Sequence, residues 1–263
     1  ILIRMNGNDL MQGGLGSEEM RRIAKILVDR GGVDGICVNV GWHEARVPQI
    51  TTSVPRGAFA YLARGIKEAV QVPVIASHRI NDPHKARELI SNGFCDLVAM
   101  GRSLITDPEL PNKAASGREK DIVHCIACAQ GCFDNLFQLK HVECLCNPRA
   151  GHELDRTVNP TAQPKKILVI GGGPAGMMTA LTAVRRGHEV ILWDRDSRLG
   201  GQLYLASAPP GREEFAHLAE DLAEQVKKST IRAVLGQEAD KAAIEHENPD
   251  LVVLATGGLP IDP

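Results

Sequence analysis

Ile167-Leu168-Val169-Ile170-Gly171-Gly172-Gly173-Pro174-Ala175-Gly176 is an apolar run that passes directly into a G-x-G-x-x-G string. Such a string alone is weak. Here it follows a predicted strand over Ile167–Ile170 and opens a predicted helix reaching about Arg186. After the Gly187-His188 turn, a second strand over Glu189–Trp193 ends in Asp194, 23 residues beyond Gly171. That context is the phosphate-binding turn of a Rossmann-like unit. Gly171 permits the tight turn, Gly173 lets the main chain approach a pyrophosphate, and Gly176 lets helix and strand pack closely. The helix N-terminus favours phosphate charge, and Asp194 can accept ribose hydroxyls. A dinucleotide-binding unit is therefore predicted for 165–263, behind a polar, proline-bearing linker at 151–164.

Working back from that unit, residues 119–150 read as an irregular, cysteine-rich loop. Five of the seven cysteines, Cys125, Cys128, Cys132, Cys144 and Cys146, fall within 22 residues. Without a secretion signal, such clustering favours a metal over disulfides. The spacing is Cys125-x2-Cys128-x3-Cys132-x11-Cys144. Zinc sites usually pair two Cys-x-x-Cys knuckles. Three cysteines within eight residues and a distant fourth better suit a cubane that needs one thiolate per iron. Zinc stays open, and Cys146 can replace Cys144 as fourth ligand. Cys37 and Cys95 stand alone in apolar segments and are expected to be buried hydrophobes.

Residues 1–118 alternate strand and helix. Apolar runs at Ile1–Met5, Gly35–Val40, Val72–Ala76 and Leu97–Met100 are separated by amphipathic stretches at Ser17–Arg30, Gly57–Ala69 and Pro83–Asn92. This is a βαβ series with a parallel sheet. Polar residues sit where each strand ends: Arg4, Trp42-His43-Glu44, Ser77-His78-Arg79 and Gly101-Arg102. Their convergence favours the C-terminal half of a β/α (TIM) barrel over an open sheet, because barrel strand ends share one face. Arg79 and Gly101-Arg102 suit a phosphate. The fold class is α/β: half a barrel, a cysteine loop, then a Rossmann-like domain.

The net charge of −2 and 24% charged residues point to neither nucleic acid nor an anionic membrane. No apolar run of 18 residues or signal peptide is present, so a cytoplasmic protein without a membrane span is expected. Both ends lie beside apolar strands. They read as cuts through a larger polypeptide, whose other parts or partner subunits are expected to cover the exposed half-barrel.

Gly41-Trp42-His43-Glu44-Ala45-Arg46-Val47-Pro48 and Ser53-Val54-Pro55-Arg56-Gly57-Ala58-Phe59, with the cysteine spacing, carry a resemblance. The chain resembles bacterial 2,4-dienoyl-CoA reductases, among old-yellow-enzyme-like FMN barrels fused to a cluster and an FAD/NAD(P) module. The resemblance implies His43 as proton donor, with a tyrosine partner upstream, and Arg4 at the flavin N1/O2 edge. It implies Arg79, Gly101 and Arg102 at the FMN phosphate, with Glu44–Val47 on the substrate side. Cys125, Cys128, Cys132 and Cys144 become ligands of a [4Fe-4S] cluster. The glycine pair Gly200-Gly201 and the Ala255-Thr256-Gly257-Gly258 turn favour FAD over NAD. Ala175, Asp194, Gln202 and Arg212 then fall at FAD-binding positions, and Ala239 at the adenine. The function implied is NAD(P)H-dependent reduction of an acyl-CoA-type enoyl or dienoyl thioester. Electrons would pass from FAD through the cluster to FMN. Two alternatives are an amine dehydrogenase or N-demethylase of the same architecture, and an electron-transfer subunit lacking a closed barrel.

Overall fold

The computed structural model describes residues 1–258; the final five residues of the predicted 165–263 unit lie outside the described residues. Two four-stranded parallel sheets organise the chain. The first has the order β1-β2-β3-β4, from Leu2–Asn6, Gly35–Asn39, Val74–Ala76 and Leu97–Val98. Helices α1 (Ser17–Gly31), α2 (Ala60–Lys67) and α3 (Pro83–Ser91) connect successive strands. Short helices α4 (Arg102–Thr106) and α5 (Leu110–Ala115) follow β4.

Local chemistry sets these boundaries. Helix α1 carries Glu18 and Glu19 in its first turn, Arg30 in its last, and stops at Gly32, whose φ of +64° ends it in the left-handed region. Helix α3 starts at Asp82, whose side chain accepts from the His84 amide at 2.7 Å, with Pro83 in the first turn. Ile36, Ile66, Val74 and Ala76 are fully buried between sheet and helices. The central strands β2 and β3 are thus apolar runs rather than alternating ones, as a covered parallel sheet requires, while the outer strands β1 and β4 are partly exposed.

The second sheet has the order β7-β6-β5-β8, after a single helical turn α6 (Asn135–Phe137). Strands β5 (Lys166–Ile170) and β6 (Glu189–Asp194) are central; β7 (Arg232–Leu235) and β8 (Leu251–Leu254) flank them. Helix α7 (Pro174–Arg185) connects β5 to β6. Helices α8 (Leu203–Ser207) and α9 (Glu214–Lys228) lead into β7, and α10 (Lys241–Glu247) into β8. Leu168, Val169, Leu192 and Met177 are completely buried.

The cysteine loop is not an isolated excursion. Val123, Ile126 and Cys146 join the core formed by β5, β6, α7 and α9. His124 fixes the loop to α9: its amide and Nδ1 lie 2.8 and 2.9 Å from Asp221 Oδ2. Residues 151–164 form no helix or strand. Among the described residues no helix is long and apolar enough to cross a membrane.

Candidate functional site

The first sheet delivers its polar strand ends to one cavity of about 200 Å3. Arg4, His78, Arg79, Asn81, Gly101 and Arg102 line it. Arg4 is held by Asn39, whose Oδ1 accepts from Nη2 at 2.7 Å. Arg102 donates to the Ile50 carbonyl at 2.6 Å and stands over the Phe133 ring, 5.7 Å from its centroid. A Cβ built on Gly101 would meet nothing within 4 Å, so a side chain there would project into open space.

His78 occupies a left-handed conformation at φ +71°. Ser77 Oγ donates to the Val38 carbonyl at 2.6 Å, so His78 Nδ1, 2.8 Å from that oxygen, is the donor to it. Burial, reinforced by the charges of Arg4 and Arg102, pulls His78 down to about 4. At neutral pH the ring is uncharged and its Nε2 is an acceptor.

Arg79 departs from expectation. Its side chain is 2% exposed, with Nη2 paired to Glu214 Oε1 at 2.7 Å and Nε donating to the Val54 carbonyl at 2.7 Å. The guanidinium charge is paired inside the protein, although Arg79 lines the cavity. Arg56 binds the same carboxylate, with Nη2 to Oε2 at 2.6 Å, and Asp82 at 2.8 Å. Asn81 Nδ2 donates to the Cys125 carbonyl at 2.7 Å. Its buried Oδ1 has no partner, an acceptor that a hydroxyl-bearing ligand or water in the adjoining cavity would satisfy. With Arg4 and Arg102 as cations, the cavity fits a phosphorylated, polyhydroxylated group such as FMN.

A second cavity, of about 20 Å3, is lined by Cys125, Cys128, Cys132, Cys144 and Cys146. Ala127 and Ala129 turn the chain at φ +52° and +62°, and Gln130–Asp134 form one turn of π-helix. Such turns are rare and cluster at functional sites. Burial raises the thiols of Cys125 and Cys128. Cys144 is different: a hydrogen bond from Cys146, opposed by burial and helped by Thr106 and the amides of Cys146 and Asn147, brings it down to about 6. Its sulfur lies 3.4 Å from Thr106 Oγ1. The bond to Cys144, together with burial, raises Cys146. Five soft donors around one pocket fit a thiolate-ligated iron–sulfur centre.

At the second sheet the glycine loop is closed by contact. Gly171 has φ +113°, and a Cβ there would lie 2.2 Å from the Ala255 carbonyl oxygen; one on Gly176 would lie 1.8 Å from that of Gly171. A Cβ on Gly173 would meet nothing. Asp194 accepts from the amides of Gly172 and Asp196. Gly201 folds back over the loop, within 3.2 Å of the Gly173 Cα by its added Cβ. Gln202 donates to the Gly258 carbonyl at 2.6 Å. Open space at Gly173 before the twelve-residue α7 fits a pyrophosphate.

Other expected residues lie apart. Ala175 is exposed in the first turn of α7. Arg212 is exposed with its guanidinium 5.0 Å from the Phe215 ring. Ala239 packs against Trp193 and its neighbours beneath the sheet. His43 sits on an exposed turn and lines neither cavity; its ring meets Phe137 edge-on at 5.6 Å. Sequence reasoning missed Glu214, Asn81, Phe133 and Thr106. No local pattern marks them, because each acts on a partner far along the chain.

Residues 1–121 match the NADH:flavin oxidoreductase / NADH oxidase family. Residues 166–251 match the FAD dependent oxidoreductase family. Together the two matches support a 2,4-dienoyl-CoA reductase-like FMN/FAD flavoenzyme. It superimposes on a 2-naphthoyl-CoA reductase complexed with 2-naphthoyl-CoA at a TM-score of 0.96 and 37% identity, covering 100% of this chain and 40% of that one. It is 45% identical to a metal reductase of Desulforamulus reducens, over 100% of this chain and 40% of the relative. It is 36% identical to an N,N-dimethylglycine/sarcosine dehydrogenase of Chromohalobacter salexigens, over 98% and 38% respectively. The chain thus spans about two fifths of the length of these relatives. The structural neighbours are TIM-barrel flavoenzymes, and the first parallel sheet corresponds to part of such a barrel.

Proposed function

We propose that the whole protein reduces a conjugated acyl-CoA-type thioester with NAD(P)H as reductant. The sequence would divide into a partial FMN barrel (1–118), a cluster loop (119–150), a linker (151–164) and an FAD-binding unit (165–263). When bound, FAD, a [4Fe-4S] cluster and FMN supply hydride acceptance from NAD(P)H, one-electron conduction and hydride delivery. Arg4 and Arg102 hold anionic groups in the first cavity, and neutral His78 offers them no competing charge. Gly101 leaves room for the ligand. Cys125, Cys128, Cys132 and Cys144 ligate the cluster. Gly171, Gly173 and Gly176 admit the FAD pyrophosphate, and Asp194 the ribose, with Ala175, Gly201, Gln202, Arg212 and Ala239 around the rest. His43, exposed beyond the strand ends, delivers a proton to the substrate.

One observation carries the relay: Cys125 and Arg102 line both the cationic cavity and the cysteine cavity. Groups in the two cavities would share a wall, close enough for single electrons to cross without a diffusing carrier. The thioester substrate is supported by the likeness to the 2-naphthoyl-CoA reductase complex. A second reading, oxidation of an N-methylated amine, is favoured by the dimethylglycine/sarcosine dehydrogenase relative.

The test is cofactor analysis of the anaerobically purified full-length enzyme, followed by turnover with both substrate classes. About four irons, with one FMN and one FAD per chain and NAD(P)H-dependent thioester reduction, is the expected result. Zinc in place of iron, or FAD without FMN, overturns the relay. Amine oxidation without thioester reduction establishes the second reading.

A further inference from the structure

Beside the cysteine cavity, whose wall includes Glu143, three side chains that can each ligate a metal converge along the returning limb of the cysteine loop. His141 Nε2 lies 3.4 Å from Glu143 Oε1, and His152 Nε2 lies 3.1 Å from the same oxygen. One ligand atom from each residue falls within 4.8 Å of the others. Two ligands about 2.0–2.1 Å from a tetrahedral Zn2+ are about 3.3 Å apart. Both imidazole–carboxylate separations are therefore those of ligands to one ion. The two imidazoles, nearly perpendicular with centroids 5.1 Å apart, need only side-chain rotation to complete the set.

His152 has a carboxylate at each ring nitrogen: Nδ1 faces Asp155 Oδ2 at 3.4 Å while Nε2 faces Glu143. With Nδ1–H directed to Asp155, a neutral imidazole presents its Nε2 lone pair on the Glu143 side, as a metal ligand does. A carboxylate behind the far nitrogen is the usual partner of a metal-bound histidine.

The backbone is shaped to bring the limbs together. Gly151 has φ +78°, and a Cβ there would lie 2.4 Å from the Val142 carbonyl oxygen and 3.5 Å from His141 Cδ2. Only glycine lets residues 151–152 lie this close to 141–143. Glu143 is anchored through its amide to the Gly131 carbonyl at 2.8 Å. The His152 side chain is 17% exposed and held in place, whereas that of His141, at 65%, leaves an entry path.

We propose that His141, Glu143 and His152 bind one divalent transition-metal ion of the zinc type. Asp155 orients His152, and water takes the open position. Two imidazoles and one carboxylate select such an ion over Ca2+ or Mg2+. The ion joins the limb one residue before Cys144 to the segment 151–155, bracing the cysteine loop from outside.

The full-length holoenzyme is stripped with EDTA, equilibrated with zinc chloride, gel-filtered and assayed for zinc, iron and flavin. One zinc per chain is expected, absent from His141→Ala and from His152→Ala. Asp155→Asn should weaken zinc binding about 10-fold or more. Zinc held by the cysteines persists in the histidine variants, so only histidine-dependent zinc counts. His141→Ala removes an exposed ring, and unchanged iron and flavin report an intact fold; Glu143→Gln provides a second removal. Wild-type enzyme without histidine-dependent zinc, or equal retention in both histidine variants, overturns the site.

Discussion

Glu214 Oε1 accepts a hydrogen bond from Arg79 Nη2 at 2.7 Å, joining residues 135 positions apart across the two sheet units. Glu214 opens α9, and Arg79 lines the cationic cavity. Arg56 grips the same carboxylate through Nε and Nη2, and Asn81 extends the contact to the Cys125 main chain. One buried carboxylate thus holds the dinucleotide unit, the first cavity and the cysteine loop in register. Removing its charge leaves two largely buried guanidinium groups less compensated. Glu214→Ala should cost about 3–5 kcal/mol, read as a lowered unfolding midpoint of the full-length enzyme. An unchanged midpoint would show that the network is dispensable.

The same cluster sets a pH dependence. Burial alone would raise the Glu214 carboxyl, but hydrogen bonds from Arg56, His217 and Arg79 hold it well below its ordinary 4.5. This stabilisation is complete above 4.5 and is lost as pH falls below it. His217 is raised above 6.5, chiefly by its bond to Glu214. It therefore stabilises below 6.5, and this is lost as pH rises through its folded value, weakly because the ring is partly exposed. His78 is lowered to about 4, so below 6.5 the unfolded chain binds a proton that the folded chain refuses. Flavin-depleted enzyme should be most stable near pH 6.5. His78→Asn, which tolerates the left-handed backbone, should flatten the slope between 4 and 6.5 in thermal melts.

Two glycines of one loop should behave differently. Gly176→Ala puts a methyl into the Gly171 carbonyl oxygen and should destabilise by about 1–3 kcal/mol or more. Gly173→Ala meets no protein atom. It should leave stability within about 0.5 kcal/mol while FAD content falls by more than half, because the methyl enters the pyrophosphate space. Retained FAD in Gly173→Ala would move the phosphate elsewhere.

Cys144 and Cys146 should also separate. Cys144→Ser is expected to lower iron from about four per chain to three or fewer and to abolish or alter the cluster's EPR signal. Cys146→Ser should keep the iron. The reverse pattern would make Cys146 the ligand.

His43 is exposed and supports no core, so His43→Ala should leave flavin and iron content unchanged. Thioester reduction should fall about 100-fold to 10,000-fold, the usual contribution of a positioned general acid. Unchanged turnover would remove His43 from proton delivery.

The glycine loop, the cysteine spacing and the strand-end residues were legible because each depends on near neighbours. Gly176 faces the carbonyl of Gly171 in its own turn, and Cys125, Cys128 and Cys132 share one irregular segment. The elements themselves followed the apolar runs closely: predicted helix Ser17–Arg30 is observed as Ser17–Gly31, and predicted helix Pro83–Asn92 as Pro83–Ser91. Arg79 was legible only in part: its place at a strand end puts it at the cavity wall, yet nothing near it in sequence announces its carboxylate partner Glu214.

What the sequence by itself determined was the α/β alternation, the glycine-rich turn after β5 and the close spacing of five cysteines, all products of local periodicity and short-range spacing. The tertiary structure alone decided which charges are free and which are paired. It also decided that the cysteine and cationic cavities share Cys125 and Arg102, and that His141, Glu143 and His152 meet. These depend on long-range packing, where a buried charge takes whatever opposite charge the fold brings within about 3 Å.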